Sequence, residues 1–244
     1  MTLTFDEMSH TYRWNDVVVP SVTQVLRFID GMEHAPVDRV MVAGIRGTLV
    51  HKATEVYDKG GTPTLVDETR PYFEAYLAFL SDYRNELGTK GQRWESIEER
   101  LIHPLLQYAG TADRVGVIYG ERAVLDIKTS ARLAPAVGAQ LAGYRAALNE
   151  RRVKKDRVIR RYALQLRRDG KYDLREYSDD QDMHIFRACL DIYRWREANG
   201  LGDYRARAQP EPQHELLLTR ATQPDAEAPT APTAITLYGR KPTQ

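Results

Sequence analysis

Asp113, Asp126 and Lys128 are the residues of this sequence whose types and spacing can do chemistry. Two of them fall in AVLDIKTS (123–130), where an acid, a hydrophobe and a lysine alternate inside an apolar run. Alternation along a strand sends successive side chains to opposite faces. Asp126 and Lys128 therefore share one face, and Leu125 and Ile127 turn the other way into a core. A surface ion pair would use the same residues to little effect.

The longer segment GTADRVGVIYGERAVLDIKTS (110–130) reads as a β-hairpin with Gly120-Glu121 as its two-residue turn, a longer loop being the alternative. In that register Lys128 lies opposite Asp113 and Asp126 opposite Val115, so Asp113, Asp126 and Lys128 occupy one face. Directly opposed Cβ atoms are about 5 Å apart and diagonal ones about 7 Å. Two carboxylates at that range repel, and one stays protonated unless a cation holds both. Mg²⁺ or Mn²⁺ suits them, because each takes carboxylates, a backbone carbonyl and several waters; Ile127 is placed to offer the carbonyl. A lysine beside such an ion can orient or deprotonate a water, or stabilise charge on a phosphate. The set suits phosphodiester hydrolysis. By spacing alone, a salt-bridged surface hairpin fits equally well.

The elements around this hairpin follow from periodicity and punctuation. Two short strands, LTFDE and TYRWNDVVVP, are expected first, with Asn15-Asp16 as turn material, then a helix from SVTQVLRFID capped by Ser21. A helix over 37–59 ends at Gly60-Gly61, with Val40, Leu49, Val50, Ala53 and Val56 among its buried candidates. His51 and Glu55 are four apart on it and share a face. ETRPYFEAYLAFLSDYRNEL places Tyr72, Tyr76, Phe79, Leu80 and Tyr83 at helical spacing, read as core. WESIEERLIHP has strand character, and Glu98 and Glu99 within it offer a further acid without showing which one turns inward. After the hairpin come a helix, PAVGAQLAGYRAALNERR, a second hairpin turning at Asp169-Gly170, and a closing amphipathic helix that ends at Gly200. The order predicts an α/β fold with a mixed sheet flanked by helices. From about Gln209 the composition shifts to Pro, Ala, Thr and Glu, read as a flexible tail, with ITLYGRKPTQ at its end a possible docking peptide.

Composition narrows the function class. With 244 residues, 42% apolar, 28% charged and a net charge of +1, the chain has the character of an ordinary globular domain with no global bias toward an acidic partner. No run approaches the roughly 18 to 20 apolar residues of a membrane span, and MTLTFDEMSH lacks the form of a secretory signal. A cytoplasmic protein without membrane partners is the expectation. Cys189 is the single cysteine, which excludes an intramolecular disulfide and a four-cysteine iron–sulfur cluster; it reads as a buried helical residue. Basic residues concentrate between Arg145 and Arg175, a local patch suited to DNA backbone contact.

GTAD, then about a dozen residues, then LDIKTS resembles the PD-(D/E)XK nuclease superfamily, in particular its RecB-like branch and the phage-type exonucleases. RGTLVHKATE (46–55) resembles the upstream histidine motif of that family, QLAGY (140–144) its downstream Gln-x-x-x-Tyr motif, and HTYRWNDVVVPSVTQVL a leader found in phage members. The likeness spans roughly residues 5 to 195. It implies a restriction-endonuclease-like core over residues 1–205, with 1–36 leading into it and 206–244 as the tail. It implies Asp113 and Asp126 as metal ligands, joined by His51 and the Ile127 carbonyl, and Lys128 as the catalytic lysine. Gln140, Tyr144, Glu55 and Thr129 become DNA-binding or supporting residues. The cofactor implied is Mg²⁺ or Mn²⁺, and the activity is DNA exonuclease in phage-type recombination or DNA processing. A structure-specific endonuclease and a silent DNA-binding or assembly protein are the alternatives. The resemblance also implies a homo-oligomer, a single-strand annealing partner docking on the tail, and residence in the host cytoplasm if the protein is phage-encoded. The chain departs from the cluster-bearing members, having no four cysteines.

Overall fold

The computed structural model describes residues 1–31, 36–88 and 93–201. The tail from Gln209, its terminal peptide and the boundary at 205/206 lie outside the described residues. Asn15 and Asp16 both adopt positive φ, the geometry of a type I′ hairpin, and they fold TYRWNDVVVP back on itself. The N-terminal segment is thus a three-stranded sheet, β1 (Leu3–Asp6), β2 (Thr11–Trp14) and β3 (Val17–Val19). Ser21 forms a full capping box with Gln24. The helix it caps, α1 (Val22–Val25), is a single turn that tightens into a 3₁₀ turn over Leu26–Phe28, much shorter than the sequence suggests.

The main sheet has five strands: β4 (Trp94–His103), β5 (Tyr108–Ile118), β6 (Glu121–Lys128), β7 (Arg160–Leu166) and β8 (Tyr172–Glu176). They lie side by side in chain order, all neighbours antiparallel except β6 and β7, which are parallel. A parallel pair needs a crossover, and α4 (Val137–Glu150) supplies it. Helices cover both faces. Against one, α2 (Val37–Asp58) and α3 (Arg70–Asp82) bury Val50, Tyr76 and Phe79 over Leu125 and Ile127. Against the other, α4 and α5 (Gln181–Ala198) bury Leu141, Tyr144 and Phe186 over Val115 and Val124. This is the expected α/β architecture. Leu49, expected in the core, is exposed, because α2 turns only a narrow stripe around Val50, Ala53 and Thr54 inward. Cys189 is buried, as expected. Among the described residues no helix is long and apolar enough to cross a membrane.

The β5–β6 register differs from the expected one. Ile118 pairs with Glu121, Val115 with Val124 and Arg114 with Leu125, so the turn is Tyr119-Gly120, both at positive φ. The register is displaced by two residues. A one-residue slip would have moved Asp126 and Lys128 to the other face, whereas a two-residue shift leaves the face unchanged. Lys128 accordingly does not lie opposite Asp113, nor Asp126 opposite Val115.

Candidate active site

The β5–β6 ladder stops at Arg114–Leu125, and the site begins where it stops. Beyond that pair the backbone groups of Ile127 bond to side chains. Its N–H donates to Asp113 Oδ2 at 2.6 Å, and its carbonyl lies 3.0 Å from His51 Nε2. The gap between the strands therefore fixes Asp113 from the sheet and draws His51 in from α2. The Ile127 carbonyl, expected as a cation ligand, has His51 Nε2 as a hydrogen-bond partner. His51 Nδ1 faces the acids, 3.4 Å from Asp113 Oδ1 and 4.0 Å from Glu98 Oε1.

Glu98 is the acid that turns inward. Glu99 lies beside Arg152 and accepts from Ser96. Glu98 stands at φ 52°, a left-handed conformation uncommon for a residue with a Cβ. Around it β4 pairs with β5 through Ile97–Arg114 and Glu99–Ala112. One ligand atom from each of His51, Glu98 and Asp113 lies within 4.8 Å of the others, so the three can hold a metal ion. Asp126 lies outside this trio.

Asp126 and Lys128 meet α4. Lys128 Nζ is 2.7 Å from Asp126 Oδ2 and donates to Gln140 Oε1 at 2.9 Å. Gln140 Nε2 in turn bonds Asp126 Oδ1 at 3.3 Å and the Tyr144 hydroxyl at 3.1 Å. Gln140 and Tyr144, one helical turn apart, thus brace the pair from above the sheet. Tyr144 reaches this position because Gly110 has no side chain: a Cβ there would sit 2.8 Å from the ring. Thr129 lies beside Gly47 of α2, its Oγ1 3.7 Å from where a Cβ would be. Glu55 lies between Lys52 and Lys59, at 3.0 and 2.5 Å, and lines the same groove as Glu98.

The charges are strongly coupled. Burial alone would lower the His51 pKa, but Asp113, Glu98 and Asp126 outweigh it and raise it to about 9. Burial and Asp113 push Glu98 up to about 7 against the pull of His51 and Arg114. Burial opposes ionisation of Asp113 too, yet His51 and the Ile127 N–H hold its pKa below the ordinary value. Asp126 is raised, mainly by burial with Asp113 adding to it. Lys128 is also raised: Asp126 overcomes the cost of burying the ammonium. Burial keeps the Tyr144 phenol neutral.

These residues fit a divalent cation on one further count. Asp126 Oδ2 is buried and makes no well-directed hydrogen bond, although the Lys128 ammonium is close. A carboxylate oxygen with one ammonium beside it keeps further lone pairs, which suits it to a metal. Beside the site a groove of about 920 Å³, lined in part by Tyr12, Ser21, Arg27 and Lys52, opens onto Glu98 and Tyr144. Part of the basic stretch between Arg145 and Arg175 is held in ion pairs, while Arg151, Lys154, Lys155, Arg157, Arg167, Arg168, Lys171 and Arg175 are exposed. Arg152 pairs with Glu95, Arg160 with Glu121 and Glu176, and the buried Arg161 with Asp182.

The sequence matches no family model and no curated protein. Solved structures with a similar chain course include a protein of Eubacterium rectale described as a "Putative exonuclease". It is 12% identical over 82% of this chain and 92% of its own, with a TM-score of 0.48. At that score the likeness bears on neither activity nor substrate.

Proposed function

We propose that this protein is a divalent-metal-dependent deoxyribonuclease of the PD-(D/E)XK type that hydrolyses phosphodiester bonds from DNA ends. The observation that carries this reading is the convergence, at one break in the sheet, of His51, Glu98 and Asp113 on a possible cation site with Asp126 and Lys128 alongside. On this reading Asp113, Glu98 and His51 would hold the cation, the Lys128-paired Asp126 Oδ2 would offer a further lone pair to the same ion, and Mg²⁺ or Mn²⁺ is the ion that suits an oxygen-rich set. When bound, such an ion supplies Lewis acidity toward a phosphate oxygen and makes water a better nucleophile.

The chain's own residues do the rest. Lys128 is an ammonium, held in place by Asp126 and Gln140, and it donates to the phosphate oxygens as negative charge builds on them. Water adds to phosphorus and releases a proton to solvent, the bond to the departing sugar oxygen breaks, and that oxygen takes up a proton from solvent. Gln140 fixes the Lys128–Asp126 pair, and Tyr144 fixes Gln140. Residues 1–205 form the nuclease unit on this reading, and preference for DNA ends, phage-type recombination, a homo-oligomer, an annealing partner on 206–244 and a cytoplasmic setting rest on the family resemblance.

Digestion of linear and closed circular duplex DNA tests the proposal, with Mg²⁺, Mn²⁺ or EDTA, for wild type, Asp126→Ala and Lys128→Ala. Metal-dependent loss of linear DNA only, abolished in both variants, is expected. Cutting of the circle would make the enzyme an endonuclease. Intact DNA in every lane, with DNA bound regardless of metal, would replace the enzyme by a binding protein of the same fold.

A further inference from the structure

Arg114 follows Asp113 on β5 and points to the opposite side of the sheet, where its side chain is wholly buried. Its Nε donates to Asp58 Oδ2 at 2.7 Å, and its Nη1 donates to the Asp113 carbonyl at 2.7 Å and to Glu98 Oε1 at 3.2 Å. The guanidinium lies over the ring of Tyr76, 5.9 Å from its centroid, and the Tyr76 hydroxyl donates to the same Asp58 oxygen at 2.5 Å. The Asp58 side chain is itself fully buried and takes a further contact from Arg93 at 3.3 Å.

We propose that Arg114, neutralised by Asp58, is a positioning residue that holds Glu98 and the Asp113 backbone in the geometry of the metal cluster. This inference rests on the metal-site part of the nuclease reading. Three features point the same way. A buried arginine with a single task would pair with one acid, whereas this one also reaches both acids of the cluster, one through its side chain and one through its carbonyl. Glu98 sits in a left-handed conformation uncommon for a residue with a Cβ, and Arg114 Nη1 is a directed donor on its carboxylate. A free guanidinium so near would also repel a cation. Asp58 offsets that charge, so the pair presents directed donors with little net field, and Tyr76 fixes Asp58. The arrangement parallels the outer partners that orient metal ligands elsewhere, whose loss weakens metal binding by about 10- to 100-fold.

The test is Mn²⁺ titration of the full chain, read by the electron paramagnetic resonance of free Mn²⁺, beside DNA hydrolysis and thermal melting. Arg114→Met is expected to bind Mn²⁺ about 10- to 100-fold more weakly. Its hydrolysis should fall at low Mn²⁺ and recover as Mn²⁺ is raised, with KM for DNA unchanged. Arg114→Lys should be intermediate, and Asp58→Asn should weaken Mn²⁺ binding by leaving the guanidinium uncompensated. Should Arg114→Met fail to fold, the double variant Asp58→Asn/Arg114→Met removes both buried charges together and carries the same expectation. Unchanged or tighter Mn²⁺ binding in folded variants, with only a lowered melting temperature, would overturn the proposal and leave Arg114 as a structural ion pair. Weakened binding in variants of a wild type that hydrolyses no DNA would uphold the positioning role and sink the nuclease reading. A wild type that binds no Mn²⁺ would overturn both.

Discussion

At the scale of single residues, the proposed reading assigns the cation to His51, Glu98 and Asp113 and the phosphate to Lys128. Lys128 contacts Asp126 and Gln140 but none of His51, Glu98 or Asp113 in the described contacts. Lys128→Ala should therefore lower turnover by about 10²- to 10⁴-fold while Mn²⁺ affinity stays within a few-fold, whereas Asp113→Asn should lose both; parallel titration and rate measurements distinguish the two. The coupled ionisations make a second prediction, for protein in EDTA. His51 is raised from 6.5 to about 9, so its contribution to stability is full below 6.5 and is lost as pH rises through about 9. Glu98 is raised from 4.5 to about 7, so the folded state loses ground as that carboxyl ionises between those values. Asp113, already ionised above pH 5, adds no slope there. Metal-free protein should thus become less stable from about pH 5 to pH 9, and Mn²⁺ should stabilise it more at pH 8.5 than at pH 6, because the ion replaces the proton on His51. A flat or rising melting temperature across that range in EDTA would contradict the assignment.

At the scale of elements, the site depends on close approaches and on a turn. Gly110 on β5 lets Tyr144 of α4 descend onto the sheet. Gly110→Ala should destabilise by about 1–3 kcal/mol through overpacking and loosen the Tyr144–Gln140–Asp126 chain; a melt and a rate together report it, and an unaffected melt would mean the ring moves aside freely. Ser21→Ala removes the side-chain half of the capping box of α1, the bond from the Gln24 N–H to Ser21 Oγ, and should cost about 1 kcal/mol with little change in turnover. Much of this scale was legible in the sequence. Alternation in AVLDIKTS put Asp126 and Lys128 together, and a spacing of four put Gln140 beside Tyr144. The turn was misplaced because Tyr119 takes a positive φ that glycine ordinarily supplies, so GE looked a better turn than YG. Glu98 was not separable from Glu99 for a similar reason: a left-handed residue interrupts the alternation from which a strand's inward face is read.

At the scale of the whole molecule, two helical layers meet across the sheet at the site. His51 comes from the α2 side, Gln140 and Tyr144 from the α4 side, and β4, β5 and β6 bring the charged groups between them. A cation bound there ties α2 to the sheet, so binding should stabilise the fold by RT ln(1 + [L]/Kd), about 2.7 kcal/mol at a hundredfold excess over Kd. A rise of several degrees in melting temperature with Mn²⁺, reversed by EDTA and absent in Asp113→Asn, is the expected result. No rise in wild type at saturating Mn²⁺ would argue against a metal site at His51, Glu98 and Asp113.

By itself the sequence determined the α/β order of elements and the pairing of an acid with a lysine on one strand face. These are local properties: composition, and periods of two and 3.6 residues that repeat within a dozen positions. Tertiary structure alone decided that Glu98 rather than Glu99 joins His51 and Asp113, and that Arg161 of the basic stretch is buried against Asp182. It alone decided, too, that Arg114 is buried against Asp58, 56 residues away in the chain. Periodicity tells which way a side chain faces. Which distant face it meets is set by packing, and an arginine whose charge is neutralised only by such a meeting looks, in sequence, like any surface residue.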